Sequence, residues 1–267
     1  MTRTIAVTNQ KGGVGKTTTS INLGTALAAA GRKVLVVDMD AQGNASTGLG
    51  IPPSERRMTS YNVIIDGVGL HEAMMDTIIP GLKIVTADED LSGVETKLSV
   101  DPNRSYRFRY AIEAYKHAVI HEGAEEFDFI LVDCPPSLSS LTINAMTGAD
   151  AVLVPLQCEF FAMEGLSQLM RTVDVVRGAL NPDLEIQGVV LTMHDKRNVQ
   201  SDQVAANVRS YFGSKVYETV IPRNVRLSEA PSFGKPALLY DHKCAGSEAY
   251  IRLASEMIQK ERERVSS

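Results

Sequence analysis

A glycine-rich stretch, NQKGGVGKTTTS at residues 9–20, follows directly on the apolar run TIAV at residues 4–7. Three of the four residues from 12 to 15 are glycine, with Lys11 and Lys16 on either side. Backbone without Cβ atoms can turn its N–H groups inward around an anion, and a helix that follows adds its partial positive end. An apolar strand, such a loop and a helical segment in succession form a phosphate-binding unit. A unit of that kind buries its strand only within a layered α/β sheet.

The rest of the chain continues the alternation. The β-branched runs TIAVTN (4–9), KVLVVD (33–38), LKIVTA (82–87), FDFILVD (127–133), AVLVPL (151–156), IQGVVLTM (186–193) and KVYETVI (215–221) predict strands covered on both faces. Amphipathic segments at 17–30, 104–121, 164–178 and 199–212 predict helices between them. The fold class is therefore α/β, a doubly wound, mostly parallel sheet with helices on both faces and its ligand outside the carboxyl ends of the strands. A chain of 267 residues with 44% hydrophobic content, without repeat, low-complexity tract or linker, is expected to form one P-loop domain over 1–267.

Charge and cysteine usage narrow the function. With 27 basic against 32 acidic residues the molecule is net negative, so a nucleic-acid partner has to be met by a local patch. Cys134, Cys158 and Cys244 are an odd number without CxxC spacing, which argues against a disulfide framework and predicts buried thiols in a reducing compartment. The first apolar run is too short for a signal-peptide core, and no stretch reaches the roughly 20 apolar residues of a membrane span, so a soluble cytoplasmic protein is expected.

Within the loop, the phosphate-binding pattern asks for glycine where the chain has Gln10, while Gly15-Lys16-Thr17 is intact. Gly12, Gly13, Val14, Gly15, Lys16, Thr17 and Thr18 form the expected nucleotide cradle, Lys16 bridging the β- and γ-phosphates and Thr17 offering a hydroxyl to Mg²⁺. A glycine-rich turn without a ligand is the competing reading. Strand, loop, GKT and helix together disfavour it. Asp38 and Asp40 follow the second apolar run and Asp133 ends the fourth, all at strand carboxyl ends. Asp133, after four apolar residues, reads as the acid that holds Mg²⁺ through water. For Asp38 a capping or turn role is an equal alternative.

One phosphate site already has its lysine in Lys16, which leaves Lys11 to be explained. The chain resembles the deviant Walker-A ATPases, with signature KGGxGK[ST], and especially their ParA/Soj/MinD branch. NQKGGVGKTTTSINL, DMDAQGNASTGLG, FILVDCPPSL, PLQCEFFAMEGL, GVVLTM and VIPRNVRLSEAPSFGKP are similar to that branch in order and spacing. The resemblance implies ATP and Mg²⁺ as cofactors, and an ATP-sandwich homodimer in which Lys11 reaches the nucleotide of the other subunit. It implies that Asp40 orients the attacking water beside the metal. The usual Asp-Pro-Gln of the family reads Asp40-Ala41-Gln42 here, which removes a φ restraint and predicts a softer loop with its chemistry kept. IPRN at 221–224 resembles the adenine-side loop, placing Pro222 and Asn224 at the base; a proline-stiffened turn is the alternative.

Two basic clusters, HDKRN (194–198) and RNVR (223–226), follow the sixth and seventh runs at one end of the sheet. In the ParA/Soj branch, surface arginines in matching loops bind duplex DNA without sequence preference, and the matches are Arg197 and Arg226. Lys196 and Arg223 add to the field, although Arg223 has the alternative of facing the nucleotide. A last helix over about 246–264 sets Tyr250, Leu253, Ala254, Met257 and Ile258 on one face and ends in KERERVSS, without the bulky apolar residues of a membrane-targeting tail. The resemblance thus implies a Mg²⁺-dependent partition ATPase of the short ParA/Soj type, slow alone, nucleoid-associated, and released from DNA when a ParB-like protein stimulates hydrolysis. The first strand begins near residue 4, which leaves no room for an N-terminal helix-turn-helix. The same residues would serve a ParA-like ATPase that positions a protein cargo, or a MinD-like membrane switch. A nitrogenase-reductase-type electron carrier would need cluster cysteines, which Cys134-Pro135-Pro136 and Cys158-Glu159-Phe160 do not resemble.

Overall fold

The computed structural model describes residues 2–159 and 161–266; Met1, Phe160 of the PLQCEFFAMEGL stretch and Ser267 of the KERERVSS ending lie outside the described residues. Its strands are β1 (Arg3–Val7), β2 (Val34–Asp38), β3 (Met75–Asp76), β4 (Leu82–Val85), β5 (Phe129–Asp133), β6 (Ala151–Gln157) and β7 (Glu185–Thr192). The long helices are α1 (Lys16–Ala29), α5 (Arg107–His121), α7 (Ala162–Ala179), α8 (Val199–Phe212) and α11 (Ala245–Ser266). Shorter ones are α2 (Asn44–Gly48), α3 (Leu70–Ala73), α4 (Val94–Lys97), α6 (Ser140–Gly148), α9 (Val225–Glu229) and α10 (Ala237–Tyr240).

The strands form one sheet in the order β3-β4-β2-β5-β1-β6-β7. All neighbours pair in parallel except β3, which runs antiparallel to β4 at the edge. Every residue of β1, β2 and β5 is buried, which is why these strands read as continuous apolar runs rather than as alternating ones. One apolar cluster packs Phe108, Ile112, Leu166 and Leu169 against one face of the sheet. A second packs Ile21, Leu23, Leu27, Tyr250, Leu253 and Met257 against the other. The doubly wound α/β class predicted from the alternation is the observed one.

Two predicted elements differ. The run at 215–221 is not a strand: it meets β7 at the isolated bridge Val189↔Val216 and through Tyr217 N and Ile221 N, which donate to Val189 O at 2.9 Å and Leu191 O at 2.8 Å, while Pro222 meets His194. Its middle N–H groups are taken by a helix instead, Glu218 N and Thr219 N donating to the Glu256 carboxylate of α11 at 2.8 and 3.0 Å. The run at 186–193 stops one residue early because Met193 adopts φ 50°, left-handed backbone that is uncommon for a side chain of this size. Cys134 and Cys158 are buried as expected, but Cys244 is only half-buried, its Sγ accepting a hydrogen bond from Ser247 N at the start of α11. Among the described residues no helix is long and apolar enough to cross a membrane.

Candidate nucleotide site

The loop between β1 and α1 is shaped by backbone conformations that glycine adopts without strain. Gly13 has φ 73° and Gly15, which opens α1, has φ 89°. A Cβ on Gly15 would meet nothing closer than Met193 Cε at 3.8 Å, so conformation rather than space requires the glycine. The first turn of α1 carries no acidic residue and no side-chain cap. Its N–H groups and partial positive charge therefore face the loop uncompensated. The loop is tied to the sheet on both sides, Thr192 Oγ1 of β7 donating to Val14 O at 2.8 Å, and Asn9 joining β6 through Nδ2, which donates to Pro155 O at 2.8 Å, while its Oδ1 accepts from Lys11 N at 3.1 Å. Lys16 is buried, its Nζ donating to Lys11 O across the loop at 3.2 Å. Burial lowers its pKa from the ordinary lysine value, with Asp133, Cys134 and Asp40 acting in the opposite direction. Thr17 and Thr18 are half-buried beside it.

Sheet register brings two carboxylates to this loop, since Asp133 pairs with both Val7 and Asp38. Both aspartates are fully buried, yet their surroundings differ. Asp38 Oδ2 accepts from Ser46 N at 2.8 Å and Ser46 Oγ at 2.7 Å, and Oδ1 from Asp40 N at 3.2 Å, so its role is to hold the turn into α2. Asp133 Oδ1 accepts from Ser20 Oγ at 2.9 Å, whereas Oδ2 is buried with no hydrogen-bond partner. Burial, with the charge of Asp38 adding, raises the Asp133 carboxyl above the usual carboxylate range, while the Thr17 and Ser20 hydroxyls oppose the shift. An orphaned buried oxygen costs about 1–3 kcal/mol, a cost that a cation or its water would relieve. Carboxylate and hydroxyl oxygens are the donor set that a hard ion such as Mg²⁺ prefers, so the residues fit that ion.

Asp40 is half-exposed, and its charge acts on both Lys16 and Asp133. It opens a four-residue turn, Gly43 N donating to Asp40 O at 2.8 Å and Gln42 N to Asp40 Oδ1 at 3.1 Å. Lys11 extends instead to Glu159, Nζ to Oε2 at 2.7 Å, with both side chains about half-exposed. A surface pair of that kind contributes about 0–1 kcal/mol and is readily exchanged.

Pro222 lies next to the loop through β7: His194 N donates to Ile221 O at 3.1 Å, Arg223 N donates to His194 O at 3.0 Å, and the preceding Thr192 holds Val14. Asn224 caps α9, its Oδ1 accepting from Arg226 N at 2.9 Å. Lys196, Arg197 and Arg223 come together around a groove of about 800 Å³ lined also by His194, Pro222 and Arg252. Arg226 does not line that groove; it pairs with Glu229 at 2.8 Å and Asp241 at 3.5 Å. Sequence reasoning missed Ser20 and Glu159. Ser20 had a signal, lying one helical turn after Lys16 on the same face. Glu159 had none, for 148 positions separate it from Lys11.

Fold and loop together define a P-loop nucleotide-binding protein of the deviant Walker-A kind. Residues 2–186 match the family described as an AAA domain. The chain is 62% identical over 262 residues to the chromosome partitioning protein ParA of Caulobacter vibrioides, covering 98% of this chain and 96% of that protein. It is 49% identical over 257 residues to the sporulation initiation inhibitor protein Soj of Bacillus subtilis, covering 96% and 98%. The structure of a cobyrinic acid a,c-diamide synthase from Mycobacterium smegmatis, with bound ADP and magnesium, aligns with TM-score 0.82 at 35% identity, covering 98% of this chain and 96% of that one. The chain belongs to the ParA/Soj family of chromosome partitioning ATPases.

Proposed function

We propose that residues 1–267 act as a single cytoplasmic, nucleoid-associated ATPase domain, which hydrolyses ATP slowly until a ParB-like protein stimulates it. Its ATP-bound homodimer binds duplex DNA without sequence preference and makes no stable association with membrane. The observation that carries the nucleotide reading is the Asp133 carboxyl, buried at the acid-free head of α1 near the Thr17 hydroxyl and with its Oδ2 lacking a hydrogen-bond partner. Thr17 and Asp133, with Asp40 beside them, would hold Mg²⁺, which supplies charge neutralisation at the phosphates when bound. The amides of Gly12, Gly13, Val14 and Gly15 and the groups of Lys16 and Thr18 cradle the phosphates, and Pro222 and Asn224 face the base. Asp40, held at the head of its own turn, orients the attacking water. Lys11 exchanges Glu159 for the nucleotide of the facing subunit, and the weakness of that surface pair supports the exchange. Lys196, Arg197, Arg223 and Arg226 grip the phosphate backbone.

Two variants test the assignment together. Asp40→Ala is expected to bind ATP and dimerise while turnover falls by about two to four decades, the range of a lost positioning or acid–base group. Adding Lys11→Ala to that parent is expected to leave ATP binding intact and abolish ATP-dependent dimerisation, read by size-exclusion chromatography with light scattering. A parent that cannot bind ATP refutes the role of Asp40, and a dimer that survives in the double variant refutes action in trans.

A further inference from the structure

The turn from Asp40 to Gly43 places Ala41 at the position following the turn's first residue, where proline is favoured because its fixed φ matches the turn. Alanine supplies no such restraint. A side chain from outside the turn makes the contacts that do. Arg56 Nη2 donates to Gly43 O at 3.2 Å, to Thr47 Oγ1 at 2.8 Å and to Ile51 O at 3.0 Å, while Nη1 donates to Ala87 O at 2.8 Å and Nε to Ile51 O at 3.3 Å. One guanidinium thus joins the end of the Asp40 turn, helix α2, the segment after it and Ala87, the second residue beyond β4.

Two details show that the fit is specific. A Cβ on Gly43 would lie 2.1 Å from Arg56 Nη1, so the glycine is what lets the guanidinium pack flat against the turn. Ammonium could not reproduce the contacts, since they need the planar fork of donors that only arginine carries. Burial lowers the Arg56 pKa from the ordinary arginine value, with the negative charges of Asp38 and Asp88 acting in the opposite direction.

We propose that Arg56 is a positioning residue for hydrolysis, clamping the turn that carries Asp40 in place of the restraint that Ala41 lacks. The proposal rests on the reading of Asp40 as the residue that orients water. A displacement of about 1 Å in such a group costs on the order of 100-fold in rate. Arg56→Ala in the full chain is expected to lower single-turnover ATP hydrolysis by about 10- to 100-fold while ATP affinity, read with a fluorescent ATP analogue, stays within about twofold. Amide exchange over residues 40–47 is expected to rise. Ala41→Pro added to Arg56→Ala is expected to recover at least part of the rate, and guanidinium ion at low millimolar concentration to do so as well.

Unchanged hydrolysis in Arg56→Ala beside an inactive Asp40→Ala overturns the clamp and leaves the Asp40 reading standing. Hydrolysis at the wild-type rate in Asp40→Ala overturns that reading, and the clamp with it. Rate, ATP affinity and thermal stability falling together, with no recovery by Ala41→Pro, would mean a general structural role and also overturns the proposal. Should Arg56→Ala fail to fold, Arg56→Lys keeps charge and length but not the fork; the same rate loss supports the clamp, and a full rate overturns it.

Discussion

Asp38 and Asp133 look alike in the sequence: each ends an apolar run, and each arrives at the same end of the sheet in register with the other. Their difference is a matter of partners. Asp38 accepts from Ser46 on Oδ2 and from Asp40 N on Oδ1, so both of its oxygens are used within the fold, while one oxygen of Asp133 is left buried without a partner. Sequence reading favours Asp133 for the metal and leaves Asp38 open to a capping role, but the free oxygen itself is not legible there, because it depends on how α2 closes over the sheet. A buried carboxylate without full hydrogen bonding works against folding, so a neutral amide of the same shape should relieve the site. Asp133→Asn keeps an oxygen for Ser20 and removes the buried charge, but sets an amide NH2 in place of the unpartnered oxygen, and is expected to leave the stability of the nucleotide-free protein within about 1–3 kcal/mol of wild type. The same variant is expected to lose at least about tenfold in Mg²⁺-dependent ATP affinity, the loss typical of one charge-assisted contact. Urea melts and titrations with and without Mg²⁺ read the two effects separately. A marked loss of stability without nucleotide would contradict the view that this carboxylate is kept for a ligand.

At the scale of elements, strands were legible wherever burial on both faces made the run continuous, as in β1, β2 and β5. The two-residue edge strand β3 is too short to carry any period. The run at 215–221 has the composition of a strand and the place of an eighth neighbour beside β7, yet its backbone is claimed by another element. Glu256, on the fourth turn of α11, receives Glu218 N and Thr219 N with its two carboxylate oxygens, and Tyr217 N and Ile221 N still reach Val189 O and Leu191 O on β7. The segment is thereby pinned half to the sheet and half to the helix, an outcome that no local pattern encodes because Glu256 lies 38 residues away. Removing the carboxylate should release it. Glu256→Ala is expected to cost about 1–3 kcal/mol, for two backbone donors bonded to a charged group, and to raise amide exchange at Glu218 and Thr219 ahead of the β7 amides. Exchange that stays slow at both positions would show that the segment is held by its contacts with β7 alone.

The whole molecule is acidic, with 27 basic and 32 acidic residues, so the proposed binding to DNA would have to be a local event against an unfavourable mean field. The basic loops are partly neutralised from within: Arg197 pairs with Asp195 at 3.1 Å and Arg226 with Glu229 at 2.8 Å. Each is an exposed pair, so phosphate oxygens can compete for the arginine at small cost. If contact is made through phosphates alone, ATP-dependent binding should be indifferent to base sequence, and the log of affinity should fall linearly with the log of salt by about 0.9 per phosphate neutralised. Arg197→Ala and Arg226→Ala are each expected to flatten that slope by roughly one for every subunit engaged, while dimerisation is retained because neither residue touches the loop at the head of α1. A nucleotide-site variant would lose dimer and DNA together, and the arginine variants DNA only. Fluorescence anisotropy with random duplexes across a salt series, using protein held by a slowly hydrolysed ATP analogue, makes the comparison. Unchanged affinity in the double arginine variant would transfer the contact to Lys260, Arg262 and Arg264 on α11. Lys260 lies over the Tyr217 ring at 4.1 Å and Arg264 pairs with Glu261 at 3.0 Å, so that cluster is engaged to the same degree as the loop arginines, and the double arginine variant decides between the two.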